Sequence, residues 1–216
     1  MKPFQYIAPT SLQEAIQVLS QNKGVVRPLA GGTDLIDQLR VGRRQASVVM
    51  DVKQIPELLR LEYEEGKGLH IGAAVPCALV YENPLAQELY PSIVESCRLI
   101  GSLQIQNRAS IGGNVCNAAP SADTVPPLLV YEALAVIGGP RGLRQVPLEN
   151  FFVGPGKTVL EPDELLVEVL VPPPPPNSRS HYLRFIPREE MDIAVAGVAS
   201  LVALQPGTRR CLRARI

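Results

Sequence analysis

Two short segments of this chain carry residue types that could hold a flat, anionic ligand. In Leu29-Ala30-Gly31-Gly32-Thr33-Asp34-Leu35, paired glycines stand where a strand-like run meets a helix-like one. Glycines there let consecutive backbone amides converge on a phosphate with no Cβ in the way. The same residues also fit an ordinary tight turn, with Thr33 or Asp34 as a helix N-cap. The second segment, Ser110 to Asp123, reads Ser-Ile-Gly-Gly-Asn-Val-Cys-Asn-Ala-Ala-Pro-Ser-Ala-Asp. It mixes small side chains with hydrogen-bonding ones and is expected to pack poorly as core. It suits a loop wrapped closely around a polar ligand, with Ser110, Asn114, Ser121 and Asp123 as donors and acceptors.

Neither segment is the G-x-G-x-x-G of a dinucleotide-binding Rossmann unit, which speaks against the usual NAD mode. Gly154-Pro155-Gly156-Lys157-Thr158 ends like a Walker A loop, but the first glycine of that motif would fall on Phe151. The two histidines, His70 and His181, have no nucleophile or acid at motif spacing and are read as structural. The four cysteines are scattered, without the close pairs of a zinc or iron–sulfur site. Cys77, Cys97 and Cys211 are therefore expected to be buried thiols, whereas Cys116 falls inside the second segment.

The elements that must position these segments can be read from periodicity. Ser11-Leu12-Gln13-Glu14 has capping-box spacing, and Leu12, Ala15, Ile16 and Leu19 share one helical face that ends at Gly24. A β-type run, Val25 to Ala30, leads into the first glycine pair. Leu35, Ile36 and Leu39 then recur at helical spacing before the strand-like Ser47 to Asp51. This β–loop–α–β order suits a small parallel sheet. From about Ile55 to Pro172 the pattern is α+β, with strand candidates at Leu69-His70-Ile71 and Ala135-Val136-Ile137 and a helix around Ile93, Val94, Cys97 and Ile100. Pro172 to Pro176 break regular structure and read as an interdomain linker. Beyond them, Tyr182 to Phe185 and the small-residue run Ile193 to Leu204 form a block too short for a comfortable domain.

Composition sets the class. With 216 residues, 46% of them hydrophobic and 19% charged, the chain can bury a real core. Twenty-one basic residues balance twenty-one acidic ones, which removes the long-range pull that recruits nucleic acid or an anionic membrane. No apolar run is long enough to cross a bilayer, and Met1 to Pro9 lacks a signal-peptide core, so a cytoplasmic protein is expected.

The two glycine segments, in this order, closely resemble the FAD-binding (medium) subunit of the carbon monoxide dehydrogenase and xanthine dehydrogenase family of molybdenum hydroxylases. Supporting stretches are Phe151 to Thr158, the strand-like Glu164 to Val169 before Pro172, and Arg188 to Ala194. The resemblance implies an α+β, vanillyl-alcohol-oxidase-like (PCMH-type) FAD-binding fold of two subdomains, residues 1–56 and 57–174. The start of a C-terminal α+β domain, residues 175–216, would follow. Members of the family run on past this point, so the chain is expected to stop inside that last domain. The likeness also implies non-covalent FAD. Residues 29 to 35 would cradle its pyrophosphate, Ala109, Ser110, Gly113, Asn114, Cys116 and Asp123 would line the rest, and Ile100 and Leu166 would touch the flavin ring or the adenine. Arg184 falls where some relatives carry a lysine near the flavin.

By the same likeness the chain does no proton chemistry on the organic substrate. Molybdopterin cofactor would sit on a large partner subunit and 2Fe-2S clusters on a small one, in a heterotrimer, alone or dimerised. The cysteine-rich insertion of the 4-hydroxybenzoyl-CoA reductase branch is absent. Two competitors stand beside this reading. One is a self-contained flavin oxidase tethered through Cys116 or His70. The other is a non-catalytic or truncated interaction subunit that has lost its flavin.

Overall fold

A computed structural model of the chain describes residues 1–188 and 191–216. Its first unit alternates strand and helix: β1 (Gln5–Ile7), α1 (Leu12–Gln21), β2 (Val26–Leu29), α2 (Leu35–Arg40) and β3 (Val48–Asp51). The helix α1 starts where the capping box predicts. Ser11 Oγ accepts the Glu14 N–H at 3.2 Å, while the Glu14 carboxylate accepts the Thr10 N–H at 2.9 Å. Its buried Ala15 and Leu19 face the core, and Gly24, at φ +80°, turns the chain into β2. The sheet order is β1-β3-β2, and both pairings are parallel, as the β–loop–α–β pattern predicts.

The second unit holds β4 (Leu61–Glu64) and β5 (Gly68–Gly72), then six helices: α3 (Cys77–Glu82), α4 (Pro84–Leu89), α5 (Pro91–Leu99), α6 (Leu103–Gln106), α7 (Ile111–Asn117) and α8 (Val125–Val130). Five strands follow: β6 (Leu134–Gly139), β7 (Gly142–Pro147), β8 (Phe152–Gly154), β9 (Lys157–Thr158) and β10 (Leu165–Val171). An antiparallel sheet of order β4-β5-β10-β6-β7 forms its frame. The inner strands β5, β10 and β6 are near-continuous apolar runs because they are covered on both faces, and Ile71, Val169 and Ile137 are fully buried. Each such side chain contributes about 1.5–3 kcal/mol of burial. The helix α5 lies where its apolar periodicity predicts, with Ile93, Val94 and Cys97 inward.

The proline run leaves β10 at Val171 and is fastened at its start, where the Tyr90 hydroxyl lies 3.2 Å from the Val171 carbonyl and 3.1 Å from that of Pro172. It leads into a meander of β11 (Ser178–Phe185), β12 (Ala196–Leu204) and β13 (Cys211–Arg215), paired in that order. This block is not left to stabilise itself. Tyr182, Ala199 and Leu201 join the common hydrophobic core against α5 and α8, while Leu183 and Val198, paired across the strands, face outward.

Two sequence expectations fail here. Cys211 is exposed, because β13 is an edge strand that shows this position to solvent. The second glycine segment is not a loop throughout: half of it is α7, whose Ile111 and Val115, four apart, are fully buried. The Glu189 and Glu190 positions, part of the stretch quoted for the family resemblance, lie outside the described residues.

Candidate functional site

A cleft of about 670 Å³ runs between the first sheet and the second, a size within the usual range of ligand pockets. The first glycine segment forms one rim, at the carboxyl ends of the parallel strands β2 and β3, where crevices open in such sheets. Its two glycines have different duties. An added Cβ on Gly31 would stand 1.9 Å from the Arg108 carbonyl oxygen, so this residue is small because the two segments press against each other. Gly32 has φ +76°, which side-chain-bearing residues adopt at a cost. This bend lies in the cleft lining. Among the described residues, no acceptor takes the N–H of Gly31, Gly32, Thr33 or Asp34. Asp34 does not cap α2; its carboxylate instead accepts from the Gln38 amide at 2.5 Å and from the side-chain amide of Asn117 at the far end of α7.

The opposite wall is built by α7 and the residues before it. Ser110 caps the helix, its Oγ accepting the Gly113 N–H at 3.1 Å. Gly112 is packed: a Cβ there would lie 2.4 Å from the Ala73 carbonyl oxygen. Gly113 is different, because a Cβ there would meet only Ser110 Oγ, at 3.2 Å, and would otherwise point into open cleft. Asn114 Oδ1 is taken by the Thr124 hydroxyl at 2.6 Å, which fixes the rotamer and leaves the amide nitrogen for a ligand. The β8–β9 hairpin completes this wall: Gly156 donates to the Ala118 carbonyl at 2.9 Å, and Gly156 and Thr158 line the cleft.

Of the residues selected by sequence, Ala30, Gly31, Gly32, Thr33, Asp34 and Leu35 line one side. Ala109, Ser110, Gly113, Asn114 and Cys116 line the other, with Ile100 and Leu166 as apolar wall. Leu29, Asp123 and Arg184 do not reach the lining. Leu29 packs its side chain under Gly32. Asp123 and Arg184 instead form a buried ion pair at 3.0 Å, and the Asp123 carboxylate also accepts the Tyr182 hydroxyl at 2.8 Å. Arg184 thus ties β11 to the segment after α7. The hairpin residues Gly156 and Thr158 are site residues that the sequence did not single out, although their stretch, Phe151 to Thr158, supports the family resemblance.

Two carboxylates of the cleft lining, Asp34 and Glu164, are held by partners of their own. Arg144 grips both Glu164 oxygens at 2.8 and 2.6 Å and holds this carboxyl below the usual carboxylate range. Burial pushes the Cys116 thiol up to about 12, which disfavours its thiolate. His70 lies outside the lining, its Nδ1 2.9 Å from Glu168, and His181 pairs with Glu95 at 2.9 Å. Among the described residues, no three His, Cys, Asp or Glu side chains gather as metal ligands, and no helix is long and apolar enough to cross a membrane.

Comparison with known proteins agrees with this geometry. The family described as the FAD binding domain in molybdopterin dehydrogenase matches residues 2–174. The xanthine dehydrogenase FAD-binding subunit of Escherichia coli O157:H7 is 36% identical over 209 residues, 96% of this chain and 71% of that one. The carbon monoxide dehydrogenase medium chain of Hydrogenophaga pseudoflava is 36% identical over 169 residues, 78% of this chain and 58% of its own. A solved carbon monoxide dehydrogenase from Hydrogenophaga pseudoflava superposes with a TM-score of 0.93 at 32% identity, covering 100% of this chain and 74% of that one. Quinoline 2-oxidoreductase from Pseudomonas putida 86 gives 0.91 at 29% identity, with coverage of 100% and 74%. The mixed α/β architecture is thus the PCMH-type FAD-binding fold that the resemblance implied. With the cleft, its amide-lined rim and these likenesses together, the chain belongs to the family of FAD-binding domains of molybdopterin dehydrogenases, the flavoprotein part of an oxidoreductase.

Proposed function

We propose that this chain holds FAD non-covalently in the cleft and relays electrons from iron–sulfur clusters on a partner subunit to an external acceptor. The observation that carries the reading is the run of four residues at the cleft rim, Gly31 to Asp34, whose N–H groups have no acceptor of their own among the described residues. Unpaired amides of this kind want an anion, and a dinucleotide's pyrophosphate is one. Gly113 leaves room on the opposite wall for close approach, Asn114 and Ser110 offer polar contacts, and Ile100 and Leu166 present apolar surface to a ring. Cys116 adds a neutral wall. FAD, when bound, supplies the ability to take electrons from one partner and give them to another. This chain's residues bind and orient it and leave the oxidation of organic substrate to a molybdopterin-binding large subunit.

The natural assembly under this reading is a heterotrimer with that large subunit and a 2Fe-2S small subunit, acting in the cytoplasm. Under this reading the chain comprises FAD subdomains at 1–56 and 57–174 and a C-terminal domain from 175. An absorbance spectrum of the purified chain, reconstituted with FAD and then acid-precipitated, tests the reading together with Gly113→Leu. Flavin bands that leave with the acid supernatant are expected of the wild type. Gly113→Leu, whose side chain would fill the cleft, should weaken FAD binding about a hundredfold, near 3 kcal/mol, while keeping its thermal midpoint. A wild-type chain that takes up no flavin would instead favour a structural interaction subunit.

A further inference from the structure

Lys53 lies just past β3, outside the cleft lining, yet its ammonium reaches back to the first glycine segment. Its Nζ donates to the Ala30 carbonyl at 3.0 Å and to Asp51 Oδ1 at 2.7 Å. Asp51 is itself held from the other side, where its Oδ2 accepts the Tyr6 hydroxyl at 2.7 Å, and its Oδ1 also takes the Lys53 backbone N–H at 3.0 Å. Tyr6 comes from β1, Asp51 from β3 and Ala30 from the end of β2, so the chain of contacts crosses the whole three-stranded sheet.

The contact on Ala30 has a specific consequence. The Ala30 carbonyl and the Gly31 N–H belong to one planar trans peptide unit and point in opposite directions. A cation hydrogen-bonded to that oxygen therefore fixes the direction of the Gly31 N–H, the first of the four amides without an acceptor, and polarises it. The ammonium also sets a positive charge behind the rim. The Asp51 carboxylate offsets it only in part, because Tyr6 shares that carboxylate.

We propose that Lys53 is a positioning residue for the anion-binding rim, aiming and polarising the Gly31 amide toward the pyrophosphate of the cofactor, with Tyr6 and Asp51 holding the ammonium in place. The inference rests on the FAD reading of the cleft. Lys53 does not touch the ligand; it acts through one peptide group. It therefore determines preference for a phosphate-bearing ligand, and not the shape of the cleft.

The test is FAD affinity by fluorescence titration over a range of salt concentrations, for wild type, Lys53→Gln and Lys53→Arg, with thermal midpoints measured without FAD. Lys53→Gln should raise the dissociation constant about tenfold and flatten its salt dependence while keeping the wild-type midpoint. Lys53→Arg, which preserves both charge and donors, should recover most of the loss. If Lys53→Gln binds FAD as the wild type does, or if its midpoint falls along with its affinity, the positioning role is overturned and the cofactor reading survives. A wild-type chain that binds no FAD overturns both.

Discussion

The two glycine pairs that flank the cleft look alike in sequence and differ in what they do. In each pair one glycine is needed for packing: Gly31 lets the first segment press on Arg108, and Gly112 lets α7 press on Ala73. The partners diverge. Gly32 is a conformational glycine at positive φ in the cleft lining, whereas Gly113 is a helical one that yields space. One rim thus offers hydrogen-bond donors and the other offers room. A glycine-rich pattern by itself distinguishes none of these uses.

The comparison can be broken at its strongest point by Gly31→Val. With a Cβ 1.9 Å from a backbone oxygen, the variant should lose about 3 kcal/mol or more of stability in urea unfolding; retention of wild-type stability would mean that the two segments do not touch as described. Arg184→Met comes next. It strands the buried Asp123 carboxylate and should cost about 3 kcal/mol, seen as a lower denaturation midpoint. FAD affinity should change far less than with Gly113→Leu, because neither partner lines the cleft. Gly32→Ala sharpens the contrast with Gly113→Ala. The first should lose about 1–2 kcal/mol to left-handed strain, and the second should change stability by less than about 1 kcal/mol, since alanine favours a helix. Equal effects at the two positions would erase the distinction.

The smallest effects concern charge. Burial raises the Asp51 carboxyl, but the bonds from Lys53 and Tyr6 outweigh it and hold the group below its ordinary value of 3.8. A depressed acid contributes stability that is present above its unfolded value and lost as pH falls through the folded one. The rim should therefore hold FAD with constant affinity from neutrality down to about pH 4 and weaken only below it; a loss already at pH 6 would implicate another group. Thiol labelling gives a parallel check. Exposed Cys211 should react first, and Cys116, pushed up to about 12, should stay unmodified at pH 8 until the chain unfolds.

Much of this was legible in the chain. The first sheet followed from the capping box at Ser11, the turn at Gly24 and the apolar spacing of Leu35 and Leu39, all local signals. Thirteen of the sixteen residues chosen for the site line one cleft, because both glycine segments carry their chemistry in their own composition. The failures have both non-local and local causes. The pairing of Asp123 with Arg184 and Tyr182 depends on how the third sheet docks, which no window of sequence displays. The helix α7 was hidden because only Ile111 and Val115 mark its apolar face among small residues. Cys211 was misjudged because a cysteine's burial depends on which side of an edge strand it occupies.

The strand order also bears on the sequence of events during synthesis. The first sheet closes entirely within Gln5–Asp51, but β10, the middle strand of the second sheet, joins Leu69 to Val171 and pairs β5 with β6 only after everything between them has been made. Long-range pairings of this kind form slowly and last. Leu166, part of the cleft wall, rides on that strand. A nascent chain halted before β10 should therefore protect its first sheet from protease yet gain nothing from added FAD, and the same chain extended through β10 should gain protection across both; FAD protection of the shorter chain would contradict this order.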